Sequence, residues 1–344
     1  MPFSVRENYL RNASMQGHEW IPAAVHICQA SWREDPVGFE RLCRSHPTIF
    51  PNFRKPPIDS SSPLRPGKGK VAVDEWGCTW AAEIEGLTGQ VVQSPLDDWD
   101  KLESWKPPEP PALEDRKRQA LAEARARGGI ASCSLGHGFF FMRMFYLRGY
   151  ENFMTDVAAD EPKLQKLAEI LTRYNERLIA PYVEAGIDLL NGGDDLGTQT
   201  RSMLGPLHFR RWVLPAYRRL FAPARAAGAH VHLHSDGYVM DILDEIIESG
   251  VTIINRQDLV NGIDELARHA KGRICINLDV DRQKTLPFGG PAEIRDLIHQ
   301  EVMKLGSPAG GLQFTGGIYP PTPARNVEAL CAALEEHRTY WVGR

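Results

Sequence analysis

The 344-residue chain has no Cys-x-x-Cys pair, no run of about 18 apolar residues, no surplus of positive charge and no glycine-rich phosphate loop after its first strand. Each absence removes a class of function. Its six cysteines, Cys28, Cys43, Cys78, Cys133, Cys275 and Cys331, are scattered, as expected for reduced, mostly buried thiols and not for a disulfide framework. Without an apolar span, or a basic segment leading into one, the sequence reads as cytoplasmic and off the membrane. Lys and Arg number 40 against 44 Asp and Glu, a net charge of -4, so nothing draws the chain to nucleic acid or an anionic surface. A nucleotide-binding sheet lacks its fingerprint. Small-molecule chemistry remains.

What is present is a repeated strand-to-helix grammar, clearest at Ala229-His-Val-His-Leu-His-Ser-Asp-Gly237. Apolar Val231 and Leu233 read as a buried strand, which ends in titratable side chains just before a glycine turn. Similar strands are expected at Gly129–Ser134, Ile187–Asn191, Val251–Asn255, Arg273–Asn277 and Gly311–Thr315. Helices alternate with them: Leu113–Arg127, Pro162–Glu184, Pro206–Ala227, Tyr238–Ser249, Asn261–Ala270, Ala292–Leu305 and Pro323–Arg338. Pro162, Pro206 and Pro323 stand where a first helical turn needs no N–H, and Gly186, Gly228, Gly250 and Gly272 follow helix ends. Short connections between alternating elements require a parallel sheet. Five or six such units with polar tips favour a closed (β/α)8 TIM barrel over an open doubly wound sheet, in one domain spanning 1–344 with regular units over 113–340. Residues 1–70 read as an N-terminal extension with one strand near Ile21–Cys28, and Lys70–Pro95 as a small β-hairpin excursion.

In a barrel the strand tips converge on one mouth. They carry Asp194, Asp195 and Gln199, then His234 and Asp236, then Gln257 and Asp258, then Asn277 and Asp279, then Thr315. Any one carboxylate here can simply cap a helix or loop. His234 and Asp236 form a pair able to hold a divalent metal through nitrogen and oxygen, with Asp194 or Asp195 as further ligands. His232 lies two residues from His234 and so shares its face of the strand. Asp74, in Asp74-Glu-Trp76, is a second acidic candidate for handling a proton, or an exposed hairpin charge. Phe139-Phe-Phe-Met-Arg-Met-Phe-Tyr-Leu147 reads as core, except that Arg143, if buried, needs an anionic partner from protein or substrate; Tyr146 lies beside it. Trp99 and Trp105 are expected at the surface, as a contact face for a homodimer.

Several of these motifs together resemble the uroporphyrinogen decarboxylase superfamily, which includes zinc-dependent, corrinoid-linked methyltransferases. They are Asp194-Asp-Leu-Gly-Thr-Gln199, Gly205-Pro-Leu-His-Phe-Arg-Arg-Trp-Val-Leu-Pro-Ala-Tyr217, His234-Ser-Asp-Gly237, Asn277-Leu-Asp279 and Gly316-Gly-Ile-Tyr-Pro-Pro-Thr-Pro-Ala-Arg-Asn326. The resemblance covers roughly residues 70–340 and implies a barrel with its site at the C-terminal mouth. It also has departures. The decarboxylases' Arg-Gln-Ala-Gly-Arg is replaced by Cys28-Gln-Ala-Ser-Trp32, their pyrrole-binding aspartate matches Asp74, and their late histidine falls on Gly316. Where the methyltransferases have His-x-Cys-Gly, this chain has Asp236 for the cysteine, and none near Thr315 replaces the later zinc ligand. Uroporphyrinogen, with its eight carboxylates, is thereby disfavoured.

The leading expectation is transfer of a methyl group from a small methylated substrate to a corrinoid protein or pterin, assisted by zinc or another divalent metal. His234, Asp195 and Asp74 are the expected catalytic residues, and Arg143, Tyr146, Gln199, Gln257 and Asn277 the substrate contacts. The alternatives are cofactor-free decarboxylation, with Asp74 stabilising the developing positive charge and Arg143 holding the carboxylate, and a barrel that only binds a tetrapyrrole or corrinoid.

Overall fold

The computed structural model describes residues 2–57 and 62–344. Its strands are β1 (Ala23–Ile27), β2 (Val71–Val73), β3 (Thr79–Ala81), β4 (Gln90–Gln93), β5 (Ser132–His137), β6 (Leu189–Gly193), β7 (His230–Ser235), β8 (Ile253–Gln257), β9 (Cys275–Asp279) and β10 (Leu312–Ile318). Seven form one parallel sheet in the order β1-β10-β9-β8-β7-β6-β5, and β2-β3-β4 form a separate antiparallel sheet. Strands β8 and β9 are buried along their whole length, as strands covered by helices must be. His26 on one edge strand and His137 on the other line the same cavity, so the sheet curls round into a TIM-type α/β barrel. Among the described residues it has seven parallel strands, one fewer than the eight expected. Trp80 of β3 and Gln90 of β4 reach the same cavity from the excursion.

The first seventy residues do more than wrap the barrel. Strand β1 pairs with β10 from Ala23↔Phe314 to Ile27↔Ile318, and helices Val5–Ala13, Gln29–Glu34 and Pro36–Ser45 flank it. The last two helices are short and begin at Cys28 and Asp35, which accept bonds from Ser31 N and Gly38 N, so no long periodic pattern marks them in the sequence. The expected helix Pro206–Ala227 is two, Pro206–Trp212 and Leu214–Ala226. Pro215 explains the break, since its ring has no N–H and collides with the carbonyl one turn back. Of the two tryptophans expected at a surface, neither is fully exposed and Trp105 is half-buried. Trp99 is buried, donating to Asp156 at 3.3 Å under the Arg148 guanidinium, and Trp105 stacks on Trp76.

Candidate functional site

The site begins with strand register. His234↔Asn255 and Asn255↔Asn277 are paired positions on β7, β8 and β9, so three polar side chains stand at one level inside the barrel. The Asn255 amide donates to the Asn277 carbonyl at 3.0 Å, which turns its oxygen toward His234, and that oxygen lies 2.5 Å from His234 Nδ1. Nδ1 therefore carries the proton and Nε2 presents a lone pair to the cavity. Thr315 Oγ1 donates to Asn277 Oδ1 at 2.9 Å, and Asn277 Nδ2 donates to His232 Nε2 at 3.2 Å. Burial, and then the neighbouring His234, push the His232 imidazole down to about 4, so it stays neutral. Four strands thus fix the orientation of one imidazole.

His234 Nε2 faces two carboxylates, Asp195 Oδ1 at 3.6 Å and Asp236 Oδ1 at 3.5 Å. His137, at the end of β5, places its Nε2 3.2 Å from the same Asp195 oxygen. The ligand atoms of His137, Asp195 and His234 all lie within 4.8 Å of one another. Burial alone would raise the Asp195 carboxyl, but the hydrogen bond and charge of His137, the nearby His234 imidazole and the Asp236 N–H outweigh it and hold Asp195 below its ordinary value. Burial would lower His137, and Asp195 reverses the sign. Asp236 is engaged by Arg282, which also lies 3.5 Å from Asp279 Oδ2 and rests over the Tyr319 ring. Asp279 Oδ1 is buried with no hydrogen-bond partner, and burial lifts this carboxyl to about 6 against the opposing pull of Arg282.

The turn after β7 exists because two glycines touch. A Cβ on Gly237, whose φ is +80°, would fall 2.3 Å from the Gly197 carbonyl carbon, and one on Gly197 would fall 2.5 Å from the Tyr238 oxygen. This contact locks the loop carrying Asp195 onto the turn carrying Asp236. Gln257 reinforces it by accepting from Gly237 N at 3.0 Å.

Other expected site residues stand elsewhere. Asp194 is fully buried, accepting from Phe140 N, Phe141 N, Met142 N and the Tyr217 hydroxyl, so it caps the helix Phe141–Arg148 and is no ligand. Asp74 does not line the cavity. Its oxygens accept from Trp76 N, Cys78 N and Trp80 Nε1, and Arg143 lies at 3.4 Å. It therefore acts as a buried turn acceptor behind Arg143, and its candidacy as a proton carrier loses its geometric basis. Gln199 is exposed on the loop, Gln257 holds the turn, and Asn277 is spent on Thr315 and His232, so none of the three contacts the cavity. Arg143 and Tyr146 do line it, together with Asp195, His234 and Asp236; its volume is ≈ 830 Å³.

Reading the sequence missed His137, Asn255 and Arg282. The strand was ended at Ser134, three residues early, although His137 between Gly136 and Gly138 follows the same tip grammar as His234. Asn255 was legible as the first polar residue after the apolar pair Ile253-Ile254; Arg282 lies beyond a tip, and only the fold brings it in.

The donors present are imidazole nitrogens and carboxylate oxygens, with no thiolate, and the pre-set Nε2 of His234 is a ligand-ready lone pair. This set suits a divalent cation. It differs from the expected pair, because Arg282 engages Asp236 and the compact group is His137, Asp195 and His234.

The profile of the family described as "Uroporphyrinogen decarboxylase (URO-D)" matches residues 77–337. The uroporphyrinogen decarboxylase of one Thermus thermophilus strain is 29% identical over 184 residues, 52% of this chain and 50% of that protein. That of a second strain of the same organism is 28% identical over the same shares. The chain thus spans about half the length of the curated relatives it matches. A methyltransferase from Methanosarcina mazei superposes with a TM-score of 0.65 at 15% identity, covering 97% of this chain and 99% of that one, which establishes a shared fold. No helix among the described residues is long and apolar enough to cross a membrane.

Proposed function

Because the chain belongs to the uroporphyrinogen decarboxylase family, whose members are enzymes, we propose that it transfers a methyl group from a small methylated substrate to a corrinoid protein or pterin, with a divalent metal held by His137, Asp195 and His234. The observation that carries this reading is the bared Nε2 of His234, fixed by Asn255 and facing Asp195 and His137. Zinc is one candidate, and the absence of thiolate leaves room for harder cations. When bound, the cation supplies Lewis acidity to the heteroatom that carries the methyl group.

The chain's own residues set the rest. Asn255 and Asn277 hold the His234 ring, so reorganisation on binding is small. Asp195 orients His137 through their 3.2 Å contact. Arg282 restrains Asp236 at the rim of the group. As the methyl group passes to the acceptor's nucleophile, the heteroatom keeps the bonding pair and then takes a proton. Asp279, a residue of the cavity lining whose carboxyl is raised to about 6 by burial, is the group placed to hold that proton. Decarboxylation assisted by Asp74 has less support, since Asp74 stands behind Arg143 and not in the cavity.

The test is methyl transfer itself. Metal-loaded protein is offered methylated alcohols, amines, thioethers and methoxy acids with reduced cobalamin, and the methylated corrinoid is read from its absorption. Transfer that falls at least roughly 100-fold in His234→Ala is expected; no transfer from any donor class, with carbon dioxide released instead, would overturn the reading.

A further inference from the structure

We propose that the substrate is a small monocarboxylate, anchored by Arg143 with help from Arg65 on the excursion side of the cavity; this names the substrate class of the methyl-transfer reading and rests on it for the chemistry at the other end of the molecule. Arg143 is only 8% exposed, yet its ion pair is a single 3.4 Å contact through Nη1. The partner, Asp74, already accepts three other hydrogen bonds, at 3.0, 2.8 and 2.9 Å. A guanidinium has five N–H groups in a planar fork, and a buried one requires acceptors for them. The remaining edge of Arg143 lines the cavity.

Its plane is fixed by two rings, with Trp76 at 4.7 Å and Tyr146 at 5.6 Å from the guanidinium carbon. Such a fork matches a carboxylate bidentately. Arg65 lines the same cavity and makes no ion pair among the described residues. It sits beside the excursion, since Gly89 N donates to the Leu64 carbonyl at 2.8 Å. Asp195, Asp236 and Asp279 line the same cavity, so in the metal-free chain a second negative charge on the ligand would be repelled by them. Tyr146 bridges the two ends, contacting Arg143 through its ring while its phenol is raised by burial and then by the charge of Asp195.

Calorimetry on the full chain stripped of metal tests the anchor without turnover. The probes are methoxyacetate, 3-methoxypropionate and 3-methoxybenzoate, their neutral amides, and inorganic phosphate. The expected result is that at least one acid binds, that its amide binds roughly 10- to 100-fold more weakly, and that Arg143→Lys removes about the same factor for the acid and little for the amide. Arg65→Gln, a half-buried change that keeps the fold, should weaken the acid several-fold. Equal binding of acid and amide, no loss in either variant, tighter binding of phosphate, or no acid bound at all would each overturn the proposal. Acid binding without any methyl transfer would retire the methyl-transfer reading and leave the anchor standing.

Discussion

The two walls of the cavity use the same residue types to opposite ends. On the barrel wall, His234 keeps a lone pair directed at the cavity beside Asp195, and a row of side chains from β8, β9 and β10 aims that imidazole. On the excursion wall the carboxylate, Asp74, is enclosed by donors, and the group left facing the cavity is its cationic partner Arg143. Chain neighbours repeat the contrast, since Asp194 is consumed by a helix terminus while Asp195 stands in the site. Whether a carboxylate does chemistry or structure is thus decided by how many donors surround it, and not by its position at a strand tip.

The largest expected effect comes from removing a consumed carboxylate. Asp194→Ala leaves three backbone N–H groups and the Tyr217 hydroxyl without their acceptor, and should cost about 3–5 kcal/mol in urea unfolding. Asp195→Ala, one residue on, should cost about 1 kcal/mol or less and abolish metal binding; equal losses at both positions would break the comparison. Asn255→Ala frees the His234 ring and should weaken metal affinity roughly 10- to 100-fold while unfolding with a nearly unchanged midpoint, measured by competition with a chelator.

A third carboxylate, at the tip of β8, sharpens the contrast through pH. Asp258 is buried against Glu301, with no cation paired to either among the described residues, and burial raises both, Asp258 to about 6. A carboxyl raised in the folded state stabilises fully below its unfolded value, and that stability is lost as pH rises through the folded value. Unfolding free energy should therefore fall as pH rises from about 4 through 6 and beyond, and Glu301→Gln should flatten the fall. The smallest effect is at Gln199, exposed and outside the cavity, where Ala should change stability by less than about 0.5 kcal/mol and leave metal and acid binding unchanged.

The parallel strand-helix order was legible because strands β6 to β10 each carry at least two apolar residues ahead of a polar or glycine tip and the helices carry proline and glycine punctuation. The strand near Ile21–Cys28 was legible too, as β1, but the seven-strand count and the pairing of β1 into the main sheet were not. Strand β1 is five residues long, and its partner β10 lies near the other end of the chain. His234 and Asp195 were legible as strand-tip residues, but their distinction from Asp194 and Asp258 was not, since donors from distant segments decide it. Asp74 shows the same limit: its neighbours in sequence suggested a hairpin charge or a proton carrier, and the fold encloses it with Trp80 and Arg143.

The most direct test of the account is the metal content and affinity of the full chain beside His137→Ala and His234→Ala. The account predicts close to one divalent ion per chain after loading and dialysis, lost in both variants while their folds persist. Retention of the ion in both, or a wild-type chain that takes up none under the same loading, would contradict it.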